Sequence, residues 1–448
     1  MNLRRLLEAR AAEGRPVRVA LVGAGKFGSM YLAQARRTPG IHLAALVDLA
    51  PERARAALER TGWVPERFAA RSLDEAAKSG TTFITDDAER AIAHAATEAI
   101  IDATGHPAAG IRHVLLCCRH AKSIVMVNVE ADALAGPALA KRARAAGIVY
   151  SLAYGDQPAL ICELVDWARA AGFTVVAAGK GTKYLPDYHA STPETVWGHY
   201  GFAPEQVARG DFNAQMFNSF LDGTKSGIEM TAVANATGLT PAPGGLAFPP
   251  CGVDDLPRIL RPQSAGGLLH HAGQVEVISS LERDGRPVFR DLRWGVYVTF
   301  AAESDYVRKC FHEYGIVTDP SGEYAAMYKP SHLIGLELGI SVASVALRRE
   351  PTGAATGWRA DVVACAKRAL RAGETLDGEG GYTVWGKLMS AADSLAKKAL
   401  PIGLAHKVRL RCDMAAGTIV SWDDVEYDAS SEAVQVRRQM EREFGGGE

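Results

Sequence analysis

Val17-Arg18-Val19-Ala20-Leu21-Val22-Gly23-Ala24-Gly25-Lys26-Phe27-Gly28-Ser29-Met30 (residues 17–30) is the stretch on which the fold turns. A six-residue run with five apolar residues, the pattern of a buried strand, meets three glycines spaced GxGxxG, and these lead into a helical run to Arg37. Gly23 allows a tight turn, Gly25 lets backbone approach a pyrophosphate, and Gly28 lets helix and strand pack closely; the helix N-terminus adds free N–H groups and partial positive charge. A second strand (42–48) ends in Asp48, 20 residues after Gly28, where a carboxylate can accept from a ribose 2′-hydroxyl. A lone GxGxxG is a weak signal, but this order predicts dinucleotide binding, with Gly23, Gly25, Lys26, Phe27, Gly28 and Asp48 at the cofactor. Asp48 favours NAD, whereas Arg53 and Arg55 can offset its repulsion of a 2′-phosphate, so NAD and NADP both stay open. Asp48 can also cap the helix that starts near Pro51.

Working outward, apolar runs at 98–105, 123–129 and 147–154 alternate with helical patterns such as 134–146, which stops at Gly147. This predicts an α/β fold, a doubly wound parallel sheet over residues 1–155. The chain then becomes mixed. A strand (173–179), a helix (214–238) and two strands joined across Asp284-Gly285 predict an α+β substrate and dimerisation domain over 156–350. Segments 184–212 and 240–257 are long for connections, which marks them as site- or interface-forming. A linker-like stretch (350–359) leads to a small, mostly β domain, 351–448.

With 50 basic and 51 acidic residues in 448 and a formal net charge of -1, the chain gives no electrostatic reason to bind nucleic acid or an anionic membrane. No apolar run is long enough to span a bilayer. The charged first residues lack the pattern of a secretion signal and read as a short surface helix. The 7 cysteines are scattered and never spaced CxxC, so the cytoplasm is the expected compartment and a small molecule the expected partner.

Candidate chemistry sits at the ends of apolar elements. Thr104 and Gly105, after the fourth strand, are expected beside the nicotinamide half, although Thr104-Gly105-His106-Pro107 also reads as an ordinary turn. In Asn128-Val129-Glu130-Ala131-Asp132, strand alternation puts Asn128 and Glu130 on one side, while Asp132 suits a helix cap. Asp156 reads both as a site residue and as the cap of the next helix. Within 214–238 the only charges are Asp222, Lys225 and Glu229, whose spacing puts all three on one helical face. The stripe is either catalytic, facing a bound nicotinamide, or the single wet face of a buried helix. Gly223 and Gly227 inside this helix suggest close approach of a neighbouring element or a ligand. Lys180, Lys183 and His332 can hold a phosphate or carboxylate; they read equally as loop lysines and a core histidine.

These segments carry a resemblance over nearly the full length. GAGKFGSM, VNVEAD, AYGDQPALI, GKGTKYLPDYH, FNSFLDGTKSGIEM, YKPSHLIGLELGISV and GGYTVWGKLM resemble homoserine-dehydrogenase-like oxidoreductases with a C-terminal SAF domain. Among these the chain is similar to 1-deoxy-D-xylulose 5-phosphate reductoisomerase-like enzymes. AKRALRAGETL and MAAGTIVSWDDV resemble the SAF pattern. The resemblance implies an N-terminal Rossmann sheet and NADPH-dependent conversion of 1-deoxy-D-xylulose 5-phosphate to 2-C-methyl-D-erythritol 4-phosphate, a step of isoprenoid synthesis, in a homodimer. It further implies Mg2+ or Mn2+ at Glu130, Asp156 and Glu229, and proton or oxyanion work by Asp222, Lys225, Glu229, Glu130 and Asp156. Lys180, Lys183 and His332 become phosphate contacts, and Arg53, Thr104, Gly105 and Asn128 join the cofactor set, with NADH as the other reductant. Asn128-Val129-Glu130 departs from the Asp-x-Glu metal pair of the better-known reductoisomerases. Two other functions fit the residues: a dehydrogenase on a homoserine-like or hydroxy-acid substrate, needing no metal, and an NAD(P)-binding sensor or structural module without turnover.

Overall fold

The structure, a computed structural model, describes residues 2–209 and 213–445; residues 210–212 of the long 184–212 segment lie outside the described residues. The chain forms two compact units, residues 1–160 with 332–356, and residues 161–331 with 357–448. The return of 332–356 to the first unit is a feature that consecutive segments 1–155, 156–350 and 351–448 do not contain.

In the first unit, strands β1 (Val17–Val22), β2 (Ile41–Val47), β3 (Phe83–Thr85), β4 (Ala99–Asp102), β5 (Ser123–Met126) and β6 (Tyr150–Leu152) form one sheet. Its order is β3-β2-β1-β4-β5-β6, and every pairing is parallel. Near-continuous aliphatic strands suit such a sheet, because both faces are covered. The strand order reverses beside β1, which pairs with both β2 and β4, so the chain leaving these three strands meets at the switch point where open α/β sheets bind ligands. The N-terminal helix Leu3–Ala12 is tied down by Leu3 and Leu7, which enter the core with Tyr31, Leu32, Leu43 and Val342.

The helix after β5 runs Val129–Ala145, so Asn128 and Glu130 are not alternating strand residues. Asn128 is its N-cap, accepting from Ala131 N at 3.1 Å, while Asp132 lies inside the helix, buried, and accepts from the Tyr150 hydroxyl at 2.7 Å. Asp48 is no helix cap either, because the next helix starts at Pro51 with Ala50 before it.

In the second unit, β7 (Thr174–Thr182) is central, parallel to β8 (Gln274–Ser279) and antiparallel to β9 (Val296–Ala301), which pairs with β10 (Tyr324–Lys329). The expected hairpin across Asp284-Gly285 survives only as a local bridge between Leu281 and Pro287; β8 and β9 flank β7 instead of pairing. The expected single helix is two, Ala214–Leu221 and Thr224–Thr237. Gly223, at φ 90°, breaks it in a conformation that L side chains resist. β11 (Ala360–Ala366), β12 (Thr375–Asp377), β13 (Val384–Ser390), β14 (His406–Leu410) and β15 (Val425–Glu426) complete the unit as a two-stranded and a three-stranded sheet. The close approach expected at Gly227 is real: a Cβ there would lie 2.9 Å from Gly386 O on β13.

The helix Glu432–Phe444 is pinned by Arg437, which is fully buried. Its guanidinium holds the Asp361 carboxylate with both nitrogens, donates to Glu441 Oε1 at 2.9 Å and lies 5.1 Å from the Trp358 ring. Among the described residues no helix is long and apolar enough to cross a membrane.

Candidate active site

At the switch point of the first unit, the glycine loop has the geometry its spacing implies. Gly23 sits at φ 103°, and a Cβ on Gly28 would lie 2.2 Å from Gly23 O, which fixes turn and helix together. A Cβ on Gly25 would meet nothing within 4 Å, leaving room on the side a pyrophosphate would occupy. Gly25 is the N-cap of the Lys26–Ala35 helix, and no side chain of the described residues caps it, so its first N–H groups can serve an anion. Lys26 is exposed and Phe27 half-buried at that end.

Asp48 is buried and bridges two backbones: Oδ2 accepts from Ala24 N and Oδ1 from Ala50 N, each at 3.0 Å. Its carboxylate is thereby fixed beside the glycine loop. Arg53 is exposed on the following helix. After β4, Asp102 Oδ1 accepts from Thr104 N (2.9 Å) and Oγ1 (2.7 Å), while His113 Nδ1 lies 2.9 Å from Oδ2. Fully buried Asn128 donates to Thr104 Oγ1 at 3.1 Å and His106 O at 3.0 Å. His106 caps the Pro107–Arg119 helix by accepting from Ala109 N at 3.3 Å. The Thr104-Gly105-His106 loop is thus held from below by Asp102 and Asn128. This chemistry fits a dinucleotide: an open anion cradle, a fixed carboxylate for hydroxyls, and a braced loop. Glu130 lies half-buried in the first turn after Asn128, Asp156 is buried and accepts from Gln157 N at 2.9 Å, and His332 begins the segment that returns to this unit.

The second unit concentrates buried charge. Lys180 on β7 and Glu229 on the 224–237 helix form an ion pair with both side chains almost wholly buried. Asp222, at the helix break, pairs with Lys367 at 2.7 Å and caps Thr224 N at 2.8 Å. Burial pushes the Asp222 carboxyl above its ordinary range against the opposing pull of Lys367. The expected single-face stripe therefore resolves differently: Lys225 and Glu229 are on the second helix, and Asp222 lies outside both helices. Lys225 is half-buried in that helix's first turn.

Sequence reasoning overlooked the aromatic and imidazole groups around Asp222. His189 Nδ1 donates to Asp222 O at 2.7 Å, its Nε2 meets the Tyr184 hydroxyl at 3.0 Å, and its ring stacks on Trp385 at 3.8 Å. It also overlooked Lys367, whose Nζ donates to Ser191 O and Gly381 O as well. Only His189 and Tyr184 carried a signal, lying in the same polar-aromatic segment as Lys180. Among the described residues no group of three or more His, Cys, Asp or Glu is arranged to hold a metal ion. Glu229 is committed to Lys180.

Residues 155–338 match the family model "Oxidoreductase DRL, catalytic domain". By this match the chain carries an oxidoreductase catalytic domain. No curated protein matches it. Among solved structures, 1-deoxy-D-xylulose 5-phosphate reductoisomerase from Zymomonas mobilis in complex with NADPH is 19% identical, covering 46% of this chain and 57% of that one, with a TM-score of 0.30. A DOX-P reductoisomerase in complex with magnesium is 18% identical over 48% and 57%, with a TM-score of 0.31. The myo-inositol dehydrogenase from Lactobacillus casei, in complex with NAD(H) and myo-inositol, is 17% identical over 40% and 50%, with a TM-score of 0.28. The chain spans about half the length of these structures.

Proposed function

We propose that this oxidoreductase is a reductoisomerase that converts 1-deoxy-D-xylulose 5-phosphate to 2-C-methyl-D-erythritol 4-phosphate, with NADPH as reductant. The observation that supports it most is the coincidence of the catalytic-domain match with the span holding Lys180, Lys183, Asp222, Lys225 and Glu229. A bound nicotinamide supplies the hydride. The first unit holds and orients the dinucleotide through the glycine loop, Asp48 and the braced 104–106 loop. In the second unit Lys225 stabilises developing oxyanion charge, aided by the partial positive charge of its helix N-terminus. Asp222 and Glu229, each tied to a lysine, fix the two ends of the segment that carries Lys225. The same reading makes the protein a cytoplasmic homodimer with a SAF-like C-terminal portion.

The test is NADPH oxidation with 1-deoxy-D-xylulose 5-phosphate, with and without Mn2+, beside NAD(P)+ with homoserine. Turnover of the ketopentose phosphate is expected. Cofactor reduction by homoserine would establish the dehydrogenase reading instead, and tight cofactor binding with neither reaction would establish a sensor. Lys225→Ala is expected to lower kcat by about 100-fold or more; full turnover in that variant would remove Lys225 from the chemistry.

A further inference from the structure

Of the two lysines singled out after β7, Lys180 is already neutralised by Glu229. Lys183, three residues on, is not. It is half-buried, and its ammonium donates to the carbonyl of His199. Its strongest charged neighbour is another cation, Arg293. Burial, and after it Arg293, pull the Lys183 ammonium below its ordinary range.

The cause of this like-charge pairing lies in the backbone. Gly181 accepts the 292–293 chain at a distance no side chain tolerates: a Cβ there would lie 2.0 Å from Leu292 O and 2.9 Å from Arg293 N. Gly181 N also donates to Gly295 O at 3.1 Å. The Arg293 turn is pressed against β7 just before Lys183. Both cations then share one aromatic ring, Lys183 Nζ and Arg293 Cζ each lying 5.7 Å from the centre of Tyr200. Arg293 also lies 4.7 Å from the Trp294 ring. Asp291, the nearest acid in sequence, accepts from the Arg293 backbone amide at 2.8 Å, and neither Lys183 nor Arg293 forms an ion pair among the described residues. Five other half-buried or buried cations of this unit, Lys180, Arg261, Lys329, Lys367 and Arg437, each face a carboxylate.

Two partly desolvated cations repel one another and attract a multivalent anion, which can take charge-assisted hydrogen bonds from both. We propose that Lys183 and Arg293, over the Tyr200 ring, form a phosphate-binding site. Resting on the reductoisomerase reading, this site takes the substrate's phosphate, and Arg293 rather than Lys180 is the partner of Lys183. Inorganic phosphate is the minimal ligand.

The experiment is calorimetric titration of the whole protein with inorganic phosphate, in parallel with steady-state kinetics. The variants are Lys183→Met, Arg293→Gln, the double variant, and Lys183→Arg as the charge-preserving control. Each single neutralisation is expected to weaken phosphate binding and raise KM for the phosphorylated substrate by about 10–100-fold, leaving NADPH affinity unchanged, while Lys183→Arg retains binding. A circular-dichroism melt confirms that the variants fold; a misfolded Met or Gln variant leaves Lys183→Arg against Lys183→Glu as the deciding pair. Phosphate binding unaltered in the double variant, or absent from the wild type at millimolar phosphate, overturns the site. Loss of phosphate binding in a protein that never turns over the ketopentose phosphate keeps the site and overturns the reaction. Normal turnover with unchanged KM in all variants does the reverse.

Discussion

The two units hold buried carboxylates in different ways. In the first, Asp48 and Asp102 are held largely by N–H and O–H groups a few residues away or in the neighbouring loop. In the second, Glu229 and Asp361 are held by cations distant in sequence, Lys180 at a separation of 49 residues and Arg437 at 76, while Asp319 combines Arg261 with local donors from Ser321, Glu323 and Tyr324. Backbone donors stabilise a carboxylate without burying a second charge. An ion pair desolvates both partners and becomes costly when one is removed. The first unit should therefore tolerate loss of one polar group better than the second.

The sharpest probe of that difference is Arg437→Met. Among the described residues it leaves Asp361 buried with only Ser394 donating to it, and it takes one of three donors from Glu441, which keeps Arg438 and Trp422. A destabilisation of about 3–5 kcal/mol is expected in urea unfolding, and replacing the pair together by Asp361→Leu and Arg437→Met should recover most of it. A single variant as stable as wild type would show that this pair does not hold the C-terminal helix.

Glu276 crosses the division, a second-unit carboxylate held as in the first. Fully enclosed, it accepts from Ala247 N at 3.1 Å, Phe248 N at 3.3 Å and Val277 N at 2.9 Å, yet burial outweighs these donors and lifts it from 4.5 to about 7. Asp132 is the first-unit counterpart, lifted by burial from 3.8 to about 6 against the pull of Tyr150. Both folded values lie above the unfolded ones, so the folded state binds the extra protons. The stability this confers is complete below the unfolded value and is lost as pH rises through the folded one. Urea midpoints should fall between about pH 4 and pH 7, the Glu276 share amounting to about 3 kcal/mol. Glu276→Gln should flatten the upper part of that profile and Asp132→Asn the lower part. A profile unchanged in both variants would place the pH dependence on other groups.

The same contrast explains what could be read from sequence. The glycine loop, β1, β2 and the Asp48 position are set by neighbours within one strand-turn-helix unit, so spacing alone revealed them. Gly223 was noticed as a costly helix residue, but the left-handed turn it takes, with His189 and Phe248 from elsewhere in the chain close by, leaves no mark in its spacing. Asp222, Lys225 and Glu229 looked like one stripe because helical periodicity was extended across that break. Their partners Lys367 and Lys180 leave no periodic trace. Arg293 was invisible for a related reason: its meeting with Lys183 depends on a glycine, Gly181, whose role emerges only when β7 and the 292–295 turn come together.

The smallest expected effect concerns Asn128, where the chain departs from the Asp-x-Glu pattern. Its side chain must accept from Ala131 N and donate to two oxygens, Thr104 Oγ1 and His106 O. A carboxylate keeps the first function and loses the second, since an ionised carboxylate has no proton to donate. It would also face the His106 carbonyl, at an Asn128 position with no exposure to water. Asn128→Asp should keep the helix cap yet loosen the 104–106 loop, weakening NAD(P)H binding about 10-fold in a fluorescence titration. Asn128→Ala should lose the cap as well, costing about 1 kcal/mol of stability. Cofactor binding in Asn128→Asp equal to wild type would mean that Asp102 alone braces the loop, and the amide at 128 would then need another explanation.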